Sequence, residues 1–269
     1  MKKIFTFLIF SCLLFNLIAC KKKEKIDENL NQFKQEISTY QAYNPDYLYQ
    51  YYETYQKSNS YIYALNAVNY PLFLFPNQVL NALNINDCLL VNRNFYLNEN
   101  YVPYNLVPIE NVNYVKRPNE TMMIEKTVLE KYKEMEIFLK QKNINILLFS
   151  SFRSYAKQTS LWNNNNQTNN LYLAKPGFSE HQTGLAVDIG TKESGLTIHF
   201  ENTKAFQVLK ENAHLFGFIL RYPKNKESIT GYAYEPWHFR YVGTNIATII
   251  YENNITLEEY FYYYFVLDF

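Results

Sequence analysis

The chain holds four histidines, and two of them stand in polar clusters. The first cluster reads Ser179-Glu180-His181-Gln182-Thr183-Gly184-Leu185-Ala186-Val187-Asp188, the second Glu235-Pro236-Trp237-His238. Two imidazoles with one carboxylate are a usual ligand set for a catalytic zinc, leaving the fourth position for water. His181 and Asp188 do not share a helix turn, because Gly184 and the apolar run after it indicate a loop followed by a strand. A ligand before the strand and one at its inner end can still converge. Spacing alone leaves both readings open, a metal site and a pair of ordinary hydrogen-bonded histidines. Glu235 is the natural general base, since it precedes His238 by three residues and would sit beside the water of a metal bound there. Pro236 biases Glu235 toward extended backbone and removes an amide donor, which argues for a kinked strand over a helical HExxH arrangement. In a regular strand, positions 235 and 238 face opposite sides, so the kink has to bring them together.

The elements that must position these groups are readable from periodicity. Between Thr121 and Lys142, Val128, Tyr132, Met135 and Leu139 recur at helical spacing, and Asn143 ends that helix. Ile144–Phe149 suits a buried strand, and Ser154 can cap a helix reaching Trp162. The asparagine-rich run 163–170 is a loop. Leu185–Ile189 is a second strand, and Tyr234–Val242 a third, broken near Pro236. Phe206, Leu209, Ala213 and Phe216 mark an amphipathic helix that Gly217 stops. Two further helices run from Thr244 to Glu252 and onward from Thr256, where Thr256 and Glu259 form a capping box. Leu89–Asn92 is a short strand candidate. Upstream, Asn44-Pro45 opens a tyrosine-rich helix over 46–56, and a second helix runs over 60–68. Their tyrosine pairs read as a face packed on the main domain ahead of a carbohydrate-stacking surface. Helices and strands mix without a βαβ rhythm, which makes the fold α+β.

Composition narrows the partners. The 269 residues are 48% hydrophobic and 18% aromatic, far from a disordered chain. With 26 basic and 25 acidic residues, the net charge of +1 offers no electrostatic case for nucleic acid. Met1-Lys2-Lys3, an apolar run of sixteen residues from Ile4 to Ala19, and then Cys20 read as a secretory signal peptide. That run falls short of the roughly 20 residues that span a bilayer. Leu17-Ile18-Ala19-Cys20 resembles the bacterial lipoprotein lipobox, which implies cleavage before Cys20 and lipidation of its thiol. Residues 1–19 are then the signal and 20–43 a polar tether with some helical tendency, followed by a helical segment over 44–84 and a main domain over 85–269. Cys12 leaves with the signal and Cys20 is capped, so Cys88 has no disulfide partner and a cysteine-based zinc site is excluded.

Three ordered motifs carry a family resemblance. Ser151-Phe152-Arg153-Ser154-Tyr155, the run Pro176–Ile189 containing SxHxxGxAxD, and Glu235-Pro236-Trp237-His238-Phe239-Arg240-Tyr241 resemble the VanY-type D-alanyl-D-alanine carboxypeptidases. Supporting stretches are Glu211–His214, Phe216–Phe218 and Arg221-Tyr222-Pro223, and the likeness covers roughly residues 85–260. It implies a small antiparallel sheet with flanking helices around one zinc ion, with His181, Asp188 and His238 as ligands and Glu235 as catalytic base. It also implies that Arg153 holds the substrate near its scissile carbonyl or terminal carboxylate, and that Ser179, Gln158 and Tyr222 contact the peptide end. His199 and His214 receive no role.

The implied activity is removal of the C-terminal D-alanine from peptidoglycan stem peptides, D,D- or L,D-specific, at the extracytoplasmic face of a bacterial membrane to which Cys20 anchors the chain. Two other readings compete with it. One is a peptidoglycan endopeptidase, and the other a non-enzymatic, zinc-stabilised binding module, against which the presence of Glu235 argues.

Overall fold

The computed structural model describes residues 28–40, 43–59, 88–165 and 171–261, with isolated positions between 61 and 85. The expected signal peptide and Cys20 lie outside the described residues, as does part of the asparagine-rich loop. The chain divides into two units at Leu74 and Phe75. A domain start at residue 85 would cut a hairpin, because Leu83–Ile85 pairs antiparallel with Cys88–Leu90.

In the N-terminal unit, residues 28–37 form a helix within the stretch expected to be a polar tether with some helical tendency. Leu30, Phe33 and Ile37 give it a thin apolar stripe at i, i+3 and i+7, sparse enough to pass for a solvated segment. Asn44 accepts from the Asp46 amide and Pro45 opens the turn leading into the helix Leu48–Ser58. The tyrosines pack within this unit: Tyr52, Tyr55 and Tyr61 lie against Phe33, with Tyr55 and Tyr61 stacked at 4.4 Å.

The C-terminal unit is built on a four-stranded antiparallel sheet. Helix α1 spans Lys126–Gln141, strand β1 Leu147–Ser150, α2 Tyr155–Asn164, β2 Ala186–Gly190, α3 Lys204–Asn212, β3 Phe218–Leu220, β4 His238–Tyr241 and α4 Thr244–Glu252. The strand order is β1-β2-β4-β3. Helix α1 starts later than Thr121 because Met123–Glu125 pairs with Leu106–Pro108, after which the Glu125 carboxylate caps the helix through the Val128 amide. Ser154 caps α2, and the Thr256–Glu259 box forms reciprocally at 2.7 and 3.1 Å. Gly217, in the left-handed region, ends the turn after α3.

Alternation along the strands sorts the sheet into two faces. Val187 and Ile189 of β2, Phe239 of β4 and Phe218 of β3 enter a core with Val128, Tyr132, Met135 and Leu139 of α1. The opposite face carries Ala186 and Asp188 on β2 and His238 and Arg240 on β4. All five β2 residues are buried, so this second face is covered too. The register sets His238 directly opposite Asp188 and Arg240 opposite Ala186. A bulge between Leu148 and Ser150 brings Ser150 beside Asp188 at the edge of the same face.

Candidate metal centre

His181 sits on a single 3₁₀ turn, Glu180–Thr183, that closes on Gly184 at φ +71°. The Gly184 amide returns to the His181 carbonyl at 3.2 Å, a left-handed cap that a side chain would strain. The chain then passes straight into β2, which delivers Asp188. Two bonds dock this turn against the segment before α2. The Arg153 amide donates to the His181 carbonyl at 3.0 Å, and His181 Nδ1 lies 2.7 Å from the Ser151 carbonyl. That carbonyl only accepts, so Nδ1 carries the proton and Nε2 keeps its lone pair, 3.2 Å from Asp188 Oδ2.

The geometric difficulty of residues 235 and 238 is resolved by a tight turn. Pro236 and Trp237 form its corner, and the His238 amide donates back to the Glu235 carbonyl at 3.3 Å. Strand β4 begins only at His238, so alternation does not apply across the pair. Glu235 Oε2 ends 3.7 Å from His238 Nδ1. The same nitrogen lies 3.1 Å from Asp188 Oδ1. Backbone bonding fixes the turn on both sides: the Glu235 amide donates to the Tyr222 carbonyl and the Ile189 amide to the Trp237 carbonyl.

His181, Asp188 and His238 thus present ligand atoms within 4.8 Å of one another, all buried. Asp188 Oδ1 is enclosed and has no hydrogen-bond partner among the described residues. An orphaned carboxylate oxygen is costly in such a place, and a cation between it and the two imidazoles would satisfy it. The donor set, two nitrogens and one carboxylate with no thiolate, fits zinc with an open position.

The electrostatics of this cluster follow from burial opposed by close partners. Burial alone would raise Asp188, but His181 and His238 hold it well below the usual carboxylate range. Burial, with the Arg153 charge, pushes His181 down against the pull of Asp188. Burial also works against a charged His238, yet the Asp188 and Glu180 carboxylates beside its two ring nitrogens outweigh it and raise His238 to about 9. Glu235 is pushed up to about 8, by burial first and by the Asp188 and Glu180 charges, against His238 and Arg153.

A cavity of about 220 Å³ opens over the cluster, and Arg153, Ser179 and Tyr222 are part of its lining together with Tyr232 and Trp237. Tyr222 also lies with its ring 4.8 Å from that of His238. A neighbouring cleft of about 580 Å³ meets it at Arg153, Asp188 and Leu196. Gln158 is placed differently from the expected peptide contact: it lines neither space. Its Oε1 accepts from Arg153 Nη1 at 2.9 Å and its Nε2 donates to the Ala174 carbonyl at 2.6 Å, so both ends of the amide are used in holding Arg153. His214 stacks on Tyr251 at 3.8 Å, away from the cluster.

Sequence reasoning missed the charges behind the site. Glu180 Oε1 accepts from Arg221 Nε at 2.7 Å and Arg240 Nη1 at 2.8 Å, while Oε2 lies 3.4 Å from His238 Nε2. Arg221 in turn forks onto Glu258 at 2.6 and 2.8 Å. Both arginines are fully buried, and their charges hold Glu180 well below its usual range against the cost of burial. One signal was available: Arg240 follows His238 by two residues on a strand, hence on the same face.

This fold and site define a class, a small α+β domain whose enclosed His/Asp/His centre keeps a carboxylic acid beside it, as amide-hydrolysing metalloenzymes do. The family model for VanY, D-alanyl-D-alanine carboxypeptidase, matches residues 121–244. The bifunctional D-Ala-D-Ala dipeptidase and D-Ala-D-Ala carboxypeptidase VanXYC of Enterococcus gallinarum is 35% identical over 187 residues, 65% of this chain and 94% of that protein. Among curated relatives the matched share of their own length ranges from 32% to 94%. A structure of the LdcB LD-carboxypeptidase superposes with TM-score 0.61 at 36% identity, covering 70% of this chain and 97% of that one. The vancomycin-resistance D,D-pentapeptidase VanY, in a mutant form complexed with Zn(II), gives TM-score 0.50 at 30% identity, covering 64% and 97%. The chain belongs to the VanY family of D-alanyl-D-alanine carboxypeptidases. It is accordingly a hydrolase of the carboxypeptidase type.

The raised pKa of Glu235 has a measurable consequence in the metal-free protein. Its folded value of about 8 lies above the ordinary 4.5, so the buried neutral acid favours folding below pH 4.5. That advantage is lost as pH rises through 8. Metal-free Glu235→Gln should therefore match the wild type near pH 4.5 and melt progressively higher than it toward pH 8–9. A melting-temperature gap that stays constant from pH 5 to 9 would show that Glu235 is not held neutral by its surroundings.

Proposed function

We propose that this chain is a zinc-dependent carboxypeptidase that removes the C-terminal D-alanine from peptidoglycan stem peptides. The observation that carries the reading is the convergence of His181, Asp188 and His238 with Glu235 at 3.7 Å from a ligand nitrogen. The family membership and the Zn(II) held by the VanY structure support it. His181 Nε2, His238 Nδ1 and the Asp188 carboxylate would hold the ion, which when bound acts as a Lewis acid on the carbonyl and brings its water to a pKa around 7.

The chain's own groups then divide the work. Glu235 takes the proton of the attacking water and delivers it to the departing D-alanine nitrogen, so one acid serves both halves of the hydrolysis. Its elevated affinity for a proton in this enclosed place suits that return step. Arg153, oriented by Gln158 and by Ser150 Oγ at 3.2 Å, offers a planar fork to the terminal carboxylate or the developing oxyanion. Ser179 and Tyr222 line the cavity where the peptide end would rest. An exopeptidase has to read a free carboxylate, which gives a half-buried cation in the cavity its purpose.

Mixing the zinc-loaded full chain with purified pentapeptide and tetrapeptide muropeptides and following product masses tests this reading. Loss of one alanine from the pentapeptide alone assigns D,D specificity, and from the tetrapeptide alone L,D specificity. Glu235→Ala should lower kcat by roughly 10²–10⁴-fold while zinc stays bound. Cleavage that persists on C-terminally blocked peptides, or not at all on free ones, would overturn the carboxypeptidase reading.

We further propose that the chain is anchored to the extracytoplasmic face of the membrane by a lipid on Cys20, the reading its sequence context supports. Two acyl chains on one thiol hold stably where a single chain does not. Cys20→Ser should leave an unlipidated precursor by mass spectrometry, and an unchanged mass for the membrane-bound wild type would refute the anchor.

A further inference from the structure

We propose that Glu180 is a positioning residue of the metal centre, fixing the tautomer and ring orientation of His238, with Arg221, Arg240 and Glu258 holding it in place. The inference rests on the reading of His238 as a metal ligand. The two oxygens of Glu180 have separate tasks. Oε1 accepts both arginines, at 2.7 and 2.8 Å, and Oε2 is left to face His238 Nε2 at 3.4 Å. A carboxylate bonded by two guanidinium groups is an acceptor only, so the ring nitrogen facing it carries the proton. Nδ1 then keeps the lone pair and points at Asp188 Oδ1, 3.1 Å away. In the reverse tautomer Nδ1–H would occupy the ligand position and His238 could not bind.

The two histidines are therefore held by different acceptors. His181 uses the Ser151 backbone carbonyl, which no substitution removes. His238 uses a side chain whose place depends on distant parts of the chain. Arg221 is held by a bidentate bond to Glu258, which also accepts from Asn92 Nδ2 at 3.1 Å, and Arg240 Nη2 donates to the Leu89 carbonyl at 2.6 Å. Leu89 and Asn92 precede the segment matched by the family model, and Glu258 follows it. The positioning assembly is thus completed by parts of this chain outside the 121–244 match. Glu180 acts on catalysis only through His238, and metal affinity is the quantity it should govern.

Two measurements on the full chain separate this role from simple charge balance. In the zinc-loaded wild type, long-range proton–nitrogen NMR should show His238 protonated at Nε2 and metallated at Nδ1, with His181 the reverse. Glu180→Gln places an amide where both arginines need an acceptor and His238 needs a carboxylate. It should weaken zinc binding roughly 10–100-fold by competition with a chromophoric chelator, and shift the visible spectrum of the cobalt(II) form. A folded Glu180→Gln with unchanged zinc affinity and cobalt spectrum would overturn the proposal. If that variant does not fold, the wild-type spectrum decides, because a His238 metallated at Nε2 is incompatible with the role. A wild type that binds neither zinc nor cobalt would instead overturn the metal-centre reading itself.

Discussion

Because side chains alternate along a strand, the register that sets His238 opposite Asp188 decides both faces of the sheet at once. With this pairing, Val187 and Phe239 enter the core against α1 while the two polar side chains meet on the other face. A slip of one residue would bury the imidazole among Val128 and Tyr132 and leave Phe239 over the cavity. The hydrophobic core therefore enforces the geometry of the His181, Asp188 and His238 cluster. The remaining site groups are attached to this pair by short-range devices: the Gly184-capped turn brings His181, the Pro236 turn brings Glu235, and the β1 bulge brings the segment leading to Arg153.

Charge balance is the second constraint. Glu180 and Glu258 are matched by Arg221 and Arg240, two against two, in a region with almost no exposure. Removing one member of a buried pair typically costs about 3–5 kcal/mol, since its partner is left uncompensated. Closer to the cavity, Asp188 and Glu235 share only Arg153 and the imidazoles. Without a cation the system neutralises itself by keeping protons, which is why both Glu235 and His238 hold theirs to higher pH. A divalent ion would replace those protons, so metal binding here is coupled to proton release. Under the proposed zinc chemistry, the same charge that would activate the water would also free Glu235 to act as base.

Much of the site could be read from residue types, and the reason is local. His181, Asp188, Glu235 and His238 stand in two short runs with a glycine and a proline that dictate their turns, and Ser154, Gly217 and Thr256 announce their caps without reference to anything distant. Elsewhere the sequence carried a thinner signal, or the deciding contacts lay outside the local run. The start of α1 moved because Met123–Glu125 pairs with Leu106–Pro108, and the helix over 28–37 has an apolar stripe of only three residues. Gln158 looked like a substrate contact from its place in the motif, but its amide faces Arg153 and Ala174. The Glu180 network joins residues from 37 to 166 positions apart, and no periodicity connects them.

The central claim is that one metal ion is held by His181, Asp188 and His238. Zinc K-edge X-ray absorption of the full chain loaded with zinc tests it most directly, compared with His238→Ala. The account predicts two imidazole nitrogens and oxygen ligands at about 2.0–2.2 Å, with one imidazole lost in the variant. A sulfur ligand near 2.3 Å, or a spectrum that His238→Ala leaves unchanged, would contradict it.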